Sequence, residues 1–315
     1  FNGLSDEEIK FFKLKKQNKN FIKQFQNYKK CKKIIHINDF WHNNKYDWQI
    51  IFRLYGITDV LSMYAPFNVS KKIFNNYFLD KSLKFHKYNR AINLNNLSSI
   101  KKNLNKKRFY DVIMIGAVNK FYPFRMFADN SFINKNNINY KRFKHPGYKF
   151  FKRTNKNQTI GKNYYSTMEN SKIVITCGTI LKLPIPKIWE IMSTGAVLVM
   201  DDIKIKKKLK LLNNQNYVKA NFENLNSKIE ELIKNEKKRK QISKNGMLIS
   251  RKIYSLHAQS TYLSEIINKI VKRKKLNIIK YNQTEIYILQ FRSFVLNLAA
   301  IFKKFFTKIL DISIR

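Results

Sequence analysis

The stretch from Lys172 to Asp201 constrains this chain more than any other part of it. An apolar, β-branched run, Lys172-Ile173-Val174-Ile175-Thr176, gives way to a loop, Cys177 to Ile185, that holds Gly178 and Pro184. Pro186 stands where a first helical residue belongs, because the N–H it lacks is one that a first turn leaves unpaired anyway. The helix Lys187–Thr194 stops at Gly195, a residue suited to the left-handed conformation at a helix end. A second apolar run, Ala196–Met200, follows at once, with Asp201-Asp202 behind it. Strands joined through a helix pair in parallel, and a sheet with helices on both faces is built from unbroken apolar runs. Asp111-Val112-Ile113-Met114-Ile115, closed by Gly116, is the clearest further strand; Lys33–Ile37 and Asp59–Tyr64 read as shorter ones. Helices are expected over 46–55, 163–171, 224–246 and 255–271. A polar one is expected over 5–30, where Ser5 offers an N-cap ahead of Asp6, Glu7 and Glu8. The predicted class is α/β. Residues 92–108, rich in Asn and Lys, read as a connection between domains.

Five of the eight glycines and four of the five prolines fall between 116 and 195, so special backbone geometry is concentrated there. In an open parallel sheet, ligands bind beyond the carboxyl ends of the strands. Gly116 emerges at that edge and leads into Tyr122-Pro123-Phe124-Arg125. The loop 178–185 precedes the helix at Pro186, whose free N–H groups favour an anion. Glu190 lies one turn in, where a carboxylate can accept hydrogen bonds from sugar or ribose hydroxyls. The plain alternative is a stable β-α-β unit in which Glu190 only complements the helix dipole. Asp201-Asp202 reads equally as a ligand-facing strand end and as a solvated turn.

Charge comes next, because the 315 residues carry a net +43. With 44% apolar and 14% aromatic residues, the chain is not a disordered polycation. A nucleic-acid surface would concentrate its charge and favour Arg. Here residues 1–105, 106–210 and 211–315 carry +13, +16 and +14, and the 63 cations are 52 Lys and 11 Arg. The charge therefore reads as compositional background of a Lys- and Asn-rich chain, with a basic nucleic-acid-binding protein as the alternative. Cys31 and Cys177 are too few for a disulfide scaffold or a cysteine-ligated zinc site, and no run of 18 apolar residues is present. The tail 272–315 holds ten cations against Glu285 and Asp311, and ends in an apolar helix flanked by Lys303-Lys304. It reads either as an interfacial helix for anionic lipid or as a helix docked on the protein body. Of the remaining histidines, His36 alternates within an apolar strand and reads as structural. His86 lies in a basic stretch, His145 in a turn, and His257 at a helix start, where it reads as a cap.

The run from Lys182 to Asp201 resembles the donor-site region of group-1 glycosyltransferases: proline, basic residue, apolar pair with an aromatic, Glu, small residue, Gly, apolar strand. The wider match is to the spore-maturation-protein-like branch of the GT-B class. It includes Asp111–Gly116 with Tyr122-Pro123-Phe124-Arg125, His145-Pro146-Gly147-Tyr148, Tyr165 to Thr176, and Asn245-Gly246. Asp39-Phe40-Trp41-His42 is similar to the acceptor-side segment of that branch. The resemblance covers roughly residues 34–270.

It implies two Rossmann-like domains: an acceptor-side domain over 1–108, short or incomplete, and a nucleotide-sugar domain over 109–271, followed by the helical tail 272–315. The chain opens at Phe1 and is expected to be a fragment. Carried over position by position, Glu190 holds the ribose hydroxyls, and the N–H groups near Pro186-Lys187 face the diphosphate. Arg125 or Lys187 neutralises it, with Gly116 and Gly195 framing the site. Asp39 or His42 acts on the acceptor hydroxyl as a base. Lys182 stands where many group-1 enzymes carry a second Glu. The implied activity is metal-independent transfer of a hexosyl-type sugar from a nucleoside diphosphate-sugar to a glycan or lipid-linked acceptor, with no cofactor. The expected location is cytoplasmic, peripheral to a membrane if the tail is interfacial. The remaining alternative is an inactive, membrane-associated Rossmann-like scaffold, suggested by Lys182 and the short first domain.

Overall fold

The computed structural model describes residues 32–37, 48, 50, 52, 55–62, 84–133, 137–144, 160–180, 182–203 and 206–273, and five tail positions, 288, 291, 294, 295 and 298. The chain divides into two compact units, Phe1–Tyr88 with Ser264–Arg315, and Asn89–Leu263.

In the first unit, β1 (Ile34–His36), β2 (Asp59–Ser62) and β3 (Lys84–Lys87) form a parallel sheet in that order, with Ile35 opposite Val60 and Val60 opposite Phe85. The sequence reading found the first two strands and missed β3. Lys-Phe-His-Lys carries too much charge to stand out as a buried strand. His86 on β3 nevertheless has a use: its Nε2 lies 2.6 Å from Oδ1 of Asp59, a fully buried carboxylate that also accepts from Thr58 Oγ1 and from Arg273.

The second unit opens with α1 (Ile100–Leu104) and holds a five-stranded parallel sheet in the order β5-β4-β6-β7-β8. Its strands are β4 (Tyr110–Ile115), β5 (Tyr140–Phe143), β6 (Ser171–Ile175), β7 (Val197–Met200) and β8 (Val218–Lys219). Between them run α2 (Pro123–Phe132), α3 (Gly161–Glu169) and α4 (Lys187–Ser193); α5 (Leu225–Lys234) and α6 (Glu236–Tyr254) follow, and the division between the units falls within the last helix, α7 (Leu256–Val271). In the central strands, Val112, Ile113, Ile173, Val174, Val197 and Leu198 are all buried, as expected for a sheet covered on both faces. One face packs Phe124, Ala128 and Phe132 of α2 and Leu225, Ile229 and Leu232 of α5 against Val112, Ile173 and Val199.

Three readings change. The helix expected over 224–246 is two helices, broken at Asn235, whose side chain caps α6 by accepting from Lys238 N–H at 2.9 Å. Residues 92–108 are folded onto the second unit: Ile92 N–H donates to Tyr254 C=O, and buried Glu169 gathers Ser98 N–H, Ser98 Oγ and Asn103 Nδ2 within 3.0 Å. Ser255, rather than His257, caps α7 by accepting from Ala258 N–H.

Candidate functional site

Gly116 ends β4 at the carboxyl edge of the sheet with φ +122°, a conformation open to glycine and strained for other residues. A Cβ there would meet Arg125 Nη1 at 3.0 Å and Lys187 Nζ at 3.3 Å. The missing side chain thus marks the point where two cations from two different helices converge. Arg125 comes from the first turn of α2, which starts at Pro123. It is only 3% exposed, lies 4.0 Å over the Tyr122 ring, and donates from Nη1 to Ala117 C=O at 3.1 Å. Its Nε is buried with no hydrogen-bond partner among the described residues, so part of a charged donor fork is left for something else. Lys187 opens α4 and is half-buried, with its ammonium 5.2 Å from the Tyr164 ring. Burial first, then repulsion from Arg125, lower its pKa to about 8 against the pull of Glu190. Of the two cations, Arg125 is the more deeply buried.

Glu190 lies one turn along α4 and accepts from the Tyr164 hydroxyl of α3 at 2.8 Å through Oε2. Burial and the neighbouring carboxylate hold the Tyr164 pKa well above its ordinary value, so it stays a donor. Oε1 has no partner among the described residues and remains free to accept hydroxyl groups. Trp189 fixes the helix in place: it stacks on Tyr254 at 4.6 Å and donates from Nε1 to Arg90 C=O at 2.9 Å.

The loop before α4 is held by Asp201, which the sequence left undecided. It is buried, accepts from Gly178 N–H at 2.9 Å through Oδ1, and pairs with Lys182 Nζ at 2.6 Å through Oδ2. Lys182 itself has φ +58°. The residue standing in the place of a second Glu is therefore a loop clasp. Asp202, by contrast, pairs with Lys206 at the surface. Cys177 is buried in the core with its thiol pushed up to about 11 by burial, in keeping with a packing role.

The structure brings together Gly116, Arg125, Lys187 and Glu190, with Pro186 as the residue capping α4. It does not bring Gly195 to them. A seven-residue helix separates the two, and at its far end a Cβ on Gly195 (φ +72°) would lie 2.8 Å from Arg108 Nη2. Gly195 serves the end of α4, whose last carbonyls accept from Arg251 (Ser193), Arg108 (Thr194) and Ser243 (Gly195). Asp39, His42 and His145 lie outside the described residues. Tyr164 was missed because only the tertiary fold lays α3 beside α4. Among the described residues, no group of three or more His, Cys, Asp or Glu is placed to hold a metal ion.

No family model matches this sequence, and no curated protein matches it either. Solved structures do. The chain is similar to TarM (TM-score 0.54, 13% identity), covering 80% of itself and 52% of TarM. It is similar to sucrose-phosphate synthase from Thermosynechococcus elongatus (0.52, 10%), covering 82% and 79%. It is also similar to HepE from Anabaena, solved with UDP and glucose (0.50, 11%), covering 75% and 71%. The fold is the GT-B fold. The chain spans about half the length of TarM. In this GT-B chain, the cluster around Gly116 lies at the carboxyl edge of the second sheet, where α/β folds of this kind bind their ligands.

Proposed function

We propose that this chain is a metal-independent glycosyltransferase that moves a sugar from a nucleoside diphosphate-sugar to a glycan or lipid-linked acceptor. The observation that supports it most is the convergence at Gly116 of Lys187 with a buried Arg125, its Nε without a partner among the described residues, one helical turn from the carboxylate that Tyr164 holds by one oxygen. The second unit is the donor side. Lys187 meets the diphosphate, and Arg125 adds charge from behind. Glu190, oriented by Tyr164, accepts the ribose hydroxyls. As the glycosidic bond to the diphosphate breaks, negative charge grows on the leaving oxygen, and fixed cations close to it lower the barrier. On the acceptor side, Asp39 or His42 takes the proton of the attacking hydroxyl. HepE, which shares the fold, was solved with UDP and glucose, in keeping with this assignment. The motifs resemble those of the spore-maturation-protein-like branch of the class, in keeping with this reading.

The protein is proposed to work in the cytoplasm, held at an anionic membrane by the tail. Ile288, Phe291, Phe294, Val295 and Leu298 recur at helical spacing and are all exposed, in a tail rich in Lys and Arg. No helix among the described residues is long and apolar enough to cross a membrane. Flotation on phosphatidylserine liposomes should be lost when 272–315 is removed; equal flotation of both forms dismisses the tail as anchor.

The donor assignment is tested by calorimetry with UDP-, GDP- and TDP-sugars in EDTA. One nucleotide should bind, and Glu190→Ala should abolish it. No response to any donor, together with salt-sensitive RNA binding, overturns the reading.

A further inference from the structure

At the opposite edge of the same sheet lies a second basic site that the glycosyltransferase reading does not use. A pocket of about 260 Å³ opens where the strands begin, between the end of α1, the residues leading into β4 and β7, Lys172 at the start of β6, and the first turns of α6. Six of its eleven lining residues are cations: Lys106, Lys107, Arg108, Lys172, Arg239 and Lys240. Across the whole chain, 63 residues of 315 are Lys or Arg, so the pocket is well above even this basic background. Glu236 is the one carboxylate among the lining residues.

The pairing inside the pocket leaves positive charge over. Lys240 is 2.7 Å from Glu236, Lys172 is 2.6 Å from Asp111, and Lys106 is 3.9 Å from Glu169. Lys107 has no partner among the described residues. The two guanidiniums are tied mainly to neutral acceptors. Arg108 donates to the carbonyls of Glu169, Ser171, Asn103 and Thr194, and Arg239 to those of Leu232 and Ile233, with Glu236 4.0 Å away. Carbonyls satisfy N–H groups without cancelling a full charge. Burial lowers the pKa of Arg108 to about 10 in spite of Glu169, and repulsion from Arg239 adds to the shift. An anion in the pocket would relieve both costs.

We propose that this pocket binds a small phosphate-bearing anion, at a site separate from the nucleotide cluster. The volume corresponds to that of roughly nine waters at ~30 Å³ each, enough for a phosphate with a short organic group and too small for a polymer chain. The six residues of β4 lie between the two sites, roughly 20 Å at ~3.3 Å per residue, so one ligand does not fill both.

The test uses the full chain with UDP present, at constant ionic strength, with inorganic phosphate, pyrophosphate and glycerol phosphate as probes. Binding is read by calorimetry and by protection of lysines from acetylation. At least one probe should protect Lys107 and Lys240 while leaving the exposed Lys219 and Lys252 reactive. The double substitution Lys107→Gln and Lys240→Gln should weaken it about tenfold. Lys107→Arg with Lys240→Arg should retain it, with melting temperatures unchanged in both. If phosphate alone protects as well as glycerol phosphate, the site reads only the anion; a preference for the ester assigns the organic group. The proposal is overturned by no protection at about 10 mM of any probe. It is equally overturned by uniform protection of all surface lysines, by competition from UDP, or by RNA binding that is the only response the double variant loses. Glu190→Ala should leave phosphate binding intact, so failure of the donor assignment and failure of this one are distinguishable.

Discussion

The two edges of the second sheet are both basic, yet they hold their charge in opposite ways. At the carboxyl edge, Arg125 is buried with an Nε that has no partner among the described residues, and Lys187 is driven toward neutrality by burial and by its neighbour. At the amino edge, Arg108 is surrounded by four carbonyls, and three of the lysines are tied to carboxylates. The first arrangement is under-satisfied at the strand ends where ligands gather. The second is a structural fastening, drawing helix ends onto the sheet, whose leftover charge lines a pocket. Counting cations would have ranked the amino edge higher; their pairing distinguishes an under-satisfied cluster from one that also holds the fold together.

Substitutions should separate the edges. Gly116→Val is expected to have the largest effect: a β-branched side chain at φ +122°, aimed at Arg125 and Lys187, should reduce nucleotide binding and transfer by a hundredfold or more, about 2.7 kcal/mol, read by calorimetry and initial rates. An unchanged affinity would show that the two cations do not form the anion site. At the other edge, Arg108→Ala strands four carbonyls and should cost about 3 kcal/mol of stability by urea titration while sparing nucleotide affinity of the folded fraction. Loss of affinity without loss of stability would reverse the comparison.

Lys187 offers a finer test through pH. It must be protonated to meet a diphosphate, and its folded pKa is about 8, so affinity should fall about tenfold between pH 7 and 9. The fall should vanish in Lys187→Arg, which stays charged. For stability the sign is opposite: the unfolded chain keeps this proton to a higher pH than the folded one. Lys187 therefore destabilises the free protein at neutral pH, and the penalty shrinks as pH rises above about 8. Lys187→Met should accordingly raise the melting temperature at pH 7 while weakening nucleotide binding; a lowered one would show that the ammonium is fully paired. The smallest effect belongs to Tyr164→Phe, which removes the hydroxyl that orients Glu190 and should weaken donor binding about fivefold, or roughly 1 kcal/mol, with the fold unchanged.

Local sequence determined the central strands, because a strand buried on both faces must be apolar throughout: 111–115, 172–176 and 196–200 announce themselves. It also determined α4, through Pro186 at its start and Gly195 at its end. Edge strands such as Lys84–Lys87 and Tyr140–Phe143 were not legible, since each carries charge on both faces (Lys84 and Lys87, Lys141 and Arg142), which breaks both the apolar run and the alternation that mark a strand. The polar stretch at 92–108 looked like a connection because its burial depends on Glu169, more than sixty residues away in sequence.

In the candidate site, Gly116, Arg125, Lys187 and Glu190 were readable from strand ends, helix starts and family resemblance. Tertiary structure alone decided that Arg125 and Lys187 meet at Gly116, that Tyr164 donates to Glu190, and that Lys182 and Asp201 clasp the loop. It also moved Gly195 to the far end of its helix, beside Arg108. The physical reason is the same in each case. Propensity and periodicity are properties of neighbours along the chain, whereas a pKa, an ion pair or an unpaired N–H depends on which distant groups the fold brings within a few ångströms.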